Sequence, residues 1–129
     1  MALAPDQTHI GLGRWFTIEG VHPDDELEWE RRSIKIVNAI DDTIVFAQDD
    51  VEFPVTWSET AAKIVSQKYF RGQLGTPARE WSLRQVIDRV VTTIADWGEA
   101  DGYFGDAAEA ATFRAELTWL LLNLSLIHI

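Results

Sequence analysis

Apolar positions in this chain follow two periods. Between residues 34 and 55 they fall in short β-branched runs, Ile34–Val37 and Thr43–Phe46, separated by Asn38-Ala39-Ile40-Asp41-Asp42. Two such runs around an Asn/Asp-rich link predict a β-hairpin. A third extended piece, Asp50 to Val55, contains Pro54, which has no N–H for a ladder and so belongs at a strand end or sheet edge. From residue 56 the spacing becomes helical. A first helix is expected from near Thr56 or Ser58 to about Tyr69, with Thr56 and Glu59 at capping-box spacing. Gly72, Gly75 and Pro77 then impose a loop. A second helix starts at Ser82 with Gln85 as reciprocal cap, places Leu83, Val86, Ile87, Val90, Ile94 and Trp97 on one face, and is closed by Gly98 and Gly102. A third starts at Asp106 with Glu109, and its apolar stripe is Ala110, Phe113, Leu117, Leu120 and Leu121.

Upstream, Pro23 and the acidic residues after it suit a helix N-terminus, with Arg31 and Arg32 at the opposite end, so a short helix is expected over Asp24–Arg32. Residues 1–13 read as a flexible lead-in. The fold class is therefore α+β, mostly α-helical: an N-terminal β-hairpin followed by three helices. Trp97, Tyr103, Phe104, Phe113 and Trp119 are expected as core between two antiparallel helices joined at Gly98 to Gly105. If a further layer normally covers the third helix, its Phe113/Leu117/Leu120/Leu121 face is left exposed and favours association.

Composition narrows the function classes. With 129 residues, 47% of them apolar, six Trp and six Phe, the chain has material for one folded domain. Its 21 acidic and 11 basic side chains give a net charge of −10, which disfavours nucleic-acid and anionic-membrane partners, where cations must replace counterions. Charge is uneven: Asp24 to Glu30 is acidic, while Lys63 to Arg89 holds most of the cations, leaving room for a small anionic ligand. There is no cysteine, hence no disulfide, thiolate metal site or thiol nucleophile within the chain. The N-terminus lacks the pattern of a signal peptide and no 18-residue apolar run exists, so the expected location is the cytoplasm.

Candidate chemistry is sparse. His9, His22 and His128 form no pair at ligand spacing, and His22 with Asp24 and Asp25 reads as a turn before an acidic segment. Ser58 and Ser82 read as helix caps, and Ser66 likewise lacks a nucleophile-elbow context. Asp24/Asp25, Asp41/Asp42 and Asp49/Asp50 are adjacent pairs that point apart, as turn residues do. The loop from Lys68 to Pro77 combines two cations, two aromatics, two glycines and a hydroxyl, and Lys68, Arg71 and Thr76 are the candidate substrate-binding residues. The order of a Walker phosphate loop is absent, and a helix C-terminus followed by a glycine-shaped connector accounts for the same residues.

A chain of short blocks carries more. Glu19-Gly20-Val21-His22-Pro23, Glu28-Trp29-Glu30-Arg31-Arg32, Val45-Phe46, Asp50-Val51-Glu52-Phe53-Pro54 and Trp57-Ser58 appear in order. Gln67-Lys68-Tyr69-Phe70-Arg71-Gly72, Gly75-Thr76-Pro77, Arg79-Glu80, Gln85-Val86-Ile87-Asp88-Arg89-Val90 and Gly102-Tyr103-Phe104 follow. Together, from about Trp15 to Asn123, they resemble the N-terminal region of adenosylcobalamin-dependent (class II) ribonucleotide reductases.

The resemblance implies a parent enzyme, a cobalamin-dependent ribonucleoside-diphosphate reductase, that makes 2′-deoxyribonucleotides for DNA synthesis by cofactor-borne radical chemistry. It implies a ten-stranded α/β barrel as catalytic remainder, a ribonucleotide substrate, a dithiol reductant and a homodimer among the parent's forms. The family's reactive cysteines lie beyond this region, so no catalytic, cofactor-binding or metal residue carries over. The expectation is an inactive fragment that itself binds no cobalamin. Leu124 to Ile129 stand where the family continues into a substrate-binding segment, and they resemble a translated transposon-end adapter, a non-native tail after residues 14–123. Two rivals stay open: a free-standing acidic helical protein-interaction module, and a nucleotide-binding domain built on the Lys68–Pro77 loop.

Overall fold

The computed structural model describes residues 11–123, so the reading of Leu124–Ile129 as a tail, and most of the lead-in, lie outside the described residues. The α+β class holds, with a hairpin followed by three helices. The chain forms two compact units, one of residues 27–86 and one that joins the segment up to Glu26 with Ile87–Asn123.

In the first unit, strands β1 (Trp29–Val37) and β2 (Ile44–Pro54) pair antiparallel, from Trp29 opposite Pro54 to Val37 opposite Ile44. Both arms exceed their sequence reading. The runs read at Thr43–Phe46 and Asp50–Val55 fall, apart from Thr43 and Val55, in one strand, bent by a register shift opposite Arg32/Ile34 where Asp50 takes φ +56°. That extra residue breaks the two-residue alternation, which is why the strand reads as two pieces. Pro54 ends β2, as a residue without a ladder N–H should. The helix expected over Asp24–Arg32 is corrected: only Pro23–Glu26 is helical, as one 3₁₀ turn, and Trp29 to Arg32 are strand. Pairing with Val51–Pro54, extended by Val55 N–H donating to the Glu28 carbonyl at 2.9 Å, outweighs a charge pattern that only local sequence could favour.

Turn chemistry closes the hairpin. Asn38 N–H donates to the Thr43 carbonyl, the Asn38 Oδ1 accepts from Ile40 N, and Asp41 Oδ1 accepts from both the N–H and hydroxyl of Thr43. These bonds hold the Asp41 carboxyl below the usual carboxylate range, the Thr43 hydroxyl contributing most. Helix α1 (Glu59–Lys68) packs on both strands and is capped by Ser58, whose hydroxyl accepts from Ala61 N at 3.1 Å. Ile34, Phe46, Val51, Phe53, Ala62 and Phe70 are buried in this unit, with the Phe53 ring stacked 5.8 Å from Phe70.

In helix α2 (Leu83–Ala100) Ser82 and Gln85 form the expected cap: Arg84 N–H donates to the Ser82 hydroxyl, and Ser82 N–H donates to the Gln85 side chain. Its buried stripe, however, is Leu83, Ile87, Val91 and Ala95. Val86, Val90 and Ile94 are half-buried, and Trp97 is 64% exposed, against its expected place in the core. Apolar residues occupy two neighbouring stripes of this helix, and tertiary packing selects the i, i+4 row.

In the second unit α2 ends in a Schellman motif: Tyr103 N–H reaches the Gly98 carbonyl, Gly102 N–H reaches that of Glu99, and Gly102 takes φ +73°. Gly98 makes room for Phe104, since a Cβ there would lie 2.8 Å from its ring. Phe104 meets Phe113 at 5.2 Å, so this half of the aromatic set is packed, while Tyr103 is exposed. Helix α3 (Ala107–Asn123) is capped by Asp106, which accepts from Glu109 N at 2.8 Å. Ala110, Glu116, Thr118 and Leu122 are its buried residues; of the expected stripe Phe113, Leu117 and Leu121 are half-covered and Leu120 is exposed. No described helix is long and apolar enough to cross a membrane.

Candidate functional site

The loop after α1 is built around Arg79 rather than the cations singled out from sequence. The Arg79 guanidinium donates to the carbonyls of Ser66 (2.7 Å), Phe70 (2.9 Å) and Gly72 (3.1 Å) and to Gln48 Oε1 (3.0 Å). It lies 5.6 Å from the Phe46 ring centre and 5.7 Å from that of Phe70. Burial pulls its pKa down from the usual arginine value, partly countered by Glu80. An arginine is protonated regardless, so it serves as a fixed, five-donor bracket for a helix C-terminus whose last carbonyls lack helical partners. Gly72 is required beside it: φ is +89°, and a Cβ would sit 2.3 Å from the Ala78 carbonyl oxygen.

Lys68, at the end of α1, and Arg71 and Thr76, on the loop, are all exposed. Their engagements differ. The Thr76 hydroxyl donates to the Gln73 carbonyl at 2.7 Å and so shapes the turn. Arg71 is clamped through its main chain, its N–H donating to Glu80 Oε1 and its carbonyl accepting from Glu80 N, both at 2.8 Å. Lys68 closes α1, where a cation suits the helix dipole. The structure thus brings Arg71, Thr76 and Arg79 onto one loop by internal bonds.

A second polar cluster lies on β2. Glu52 Oε1 accepts from the Ser82 hydroxyl (2.7 Å) and Arg84 Nε (3.0 Å), while Glu52 N–H donates to the Trp81 carbonyl. Arg84 stacks 4.1 Å over Trp29, and Arg31 stacks 4.2 Å over Trp81. This interleaving ties residues 81–84 to the hairpin and covers the outer edge of β2.

In the other unit, two glutamates on α3 hold the segment that precedes the 3₁₀ turn. Glu116, 7% exposed, accepts from the N–H groups of Trp15 (2.7 Å), Phe16 (2.9 Å) and Thr17 (3.3 Å) and from the Thr17 hydroxyl (3.0 Å). Burial pushes this carboxyl up, but the bonds from Phe16, Trp15 and Thr17 together outweigh it and hold it below the usual carboxylate range. Glu109, seven residues earlier on the same face, accepts from Gly11, Leu12 and Gly105 N–H groups. Of the lead-in, Gly11 to Gly13 are described, and this is where they are fastened. Glutamates seven residues apart on α3 were the available sequence signal for this cradle.

Among the described residues of this unit, one cavity of about 350 Å³ lies beside Arg14, His22, Asp88 and Arg114, and another of about 420 Å³ beside Arg14, Glu19, Asp106 and Glu109. These are volumes for a small ligand. No described group of three His, Cys, Asp or Glu is placed to hold a metal ion.

Comparison with known proteins fits the block pattern. A family model described as class II vitamin B12-dependent ribonucleotide reductase matches residues 30–124. Vitamin B12-dependent ribonucleotide reductases of Streptomyces coelicolor and Streptomyces avermitilis are 49% and 50% identical over 114 residues, 88% of this chain and 12% of each relative. The enzyme of that name from Rhodopirellula baltica is 42% identical over 106 residues, 81% of this chain and 10% of the relative. The chain spans about a tenth of the length of the curated relatives it matches, and by its match over residues 30–124 it belongs to the class II vitamin B12-dependent ribonucleotide reductase family.

Proposed function

We propose that this chain is the N-terminal, non-catalytic segment of a cobalamin-dependent ribonucleotide reductase, a scaffold on which the catalytic remainder of the polypeptide is assembled. The carrying observation is a family match over residues 30–124 in a chain with no cysteine. Thiol-based radical reduction needs a cysteine to abstract the ribose hydrogen and a cysteine pair to supply electrons, so the chemistry belongs to other parts of the polypeptide. The internal use of the polar residues supports the same division. Arg79, Glu52, Glu109 and Glu116 are all spent on fastening backbone and neighbouring side chains.

Following the resemblance, the parent reduces ribonucleoside diphosphates in the cytoplasm with a dithiol as electron source. The corrinoid is held outside this segment, by the remainder of the polypeptide. Titrating adenosylcobalamin into the 129-residue chain tests this directly by its visible spectrum: the expected result is no stoichiometric complex. A one-to-one complex at micromolar concentration would overturn the assignment of cofactor binding to the remainder.

A further inference from the structure

Resting on the scaffold reading above, we infer that Trp15, Phe16 and Ile18 form a docking lip for the part of the reductase polypeptide that this chain does not contain. Their exposure is high: Trp15 85%, Ile18 63% and Phe16 48%. Large apolar side chains at a loosely held terminus would need no explanation, but here the main chain that carries Trp15 and Phe16 is held in place. Glu116 accepts from three consecutive N–H groups, those of Trp15, Phe16 and Thr17, and the Phe16 ring stacks on Trp119 at 4.4 Å with 9° between planes. Burying a carboxylate orders the main chain of Trp15 to Thr17, from which the exposed side chains project. An amphipathic indole carried at the surface on an ordered main chain is the kind of anchor that fills a partner's pocket at low entropic cost.

Area selects the occupant. Three such side chains at these exposures offer on the order of 400 Å² of apolar surface. A stable interface between separate molecules needs roughly 800 Å² from each partner. The lip therefore suits a partner in the same polypeptide, where a linker supplies the effective concentration that contact area does not. Such polypeptide is abundant in the family, since this chain covers 12% of its Streptomyces relatives. The occupant we assign is an apolar recess in that remaining polypeptide, and a second copy of this chain is the alternative the test must reject.

Hydroxyl-radical footprinting read by mass spectrometry reports side-chain exposure at each position. Applied to the 129-residue chain and to the full-length polypeptide carrying this segment, it should show Trp15 and Ile18 oxidised several-fold more slowly in the full chain. In the short chain the rates should not change over a hundred-fold range of concentration. Equal oxidation in both polypeptides would overturn the inference, and so would protection of Trp15 in the short chain that grows with its concentration. Reductase turnover of the same full-length preparation reads the scaffold assignment separately: its absence counts against that assignment, while the footprint still decides the docking.

Discussion

Removing the Arg79 guanidinium strands three main-chain carbonyls, those of Ser66, Phe70 and Gly72. Arg79→Met should therefore cost about 2–3 kcal/mol in urea unfolding, whereas Arg71→Ala, whose side chain is exposed, should stay within about 0.5 kcal/mol. Equal effects of the two would remove Arg79 from its bracing role. Ser66 presents the opposite case. Its hydroxyl is fully buried with no hydrogen-bond partner, so Ser66→Ala should raise stability by about 1 kcal/mol. Glu116 adds a pH dependence of known sign. Its folded-state pKa lies below the unfolded value, so its contribution is complete above the ordinary glutamate range and is lost as pH falls through the folded value. Glu116→Gln should destabilise by about 1–3 kcal/mol at pH 7 and flatten the acid limb of the stability profile. An unchanged acid limb would show that the cradle does not depend on the charged carboxylate.

At the scale of elements, signals confined to a few neighbouring residues were the readable ones. The caps at Ser82/Gln85 and Asp106/Glu109, the glycine loop and Pro54 at a strand end all follow from local chemistry and stand as read. Elements decided by distant partners were misread. Trp29 to Arg32 has the charges of a helix end but pairs with β2, and Trp97 shares a helical face with core residues yet lies outside the buried row. The candidate loop was legible from its glycines and cations, but Arg79 was not, because its acceptors are main-chain carbonyls that carry no sequence signature. The β2 bulge is testable by itself. Asp50 sits at φ +56°, where a Cβ is strained, so Asp50→Gly should stabilise by about 1 kcal/mol and Asp50→Val should destabilise by at least that much. Thermal melts of both variants check this; a destabilising glycine would mean that the aspartate side chain compensates the strain.

For the whole molecule, family membership came from ordered blocks spread along the chain, and chemistry came from what the chain lacks. Its 129 residues include carboxylates, arginines and serines in quantity, yet the clusters they form fasten a hairpin to the segment before α2, and a peptide strap to α3. Without cysteine, radical thiol chemistry has no carrier in this segment. The most direct test is an assay of the purified 129-residue chain with adenosylcobalamin, a ribonucleoside diphosphate and a dithiol, run beside the full-length polypeptide. Deoxynucleotide formation by the full-length polypeptide and none by the short chain is the predicted result; deoxynucleotide formation by the short chain alone would contradict it.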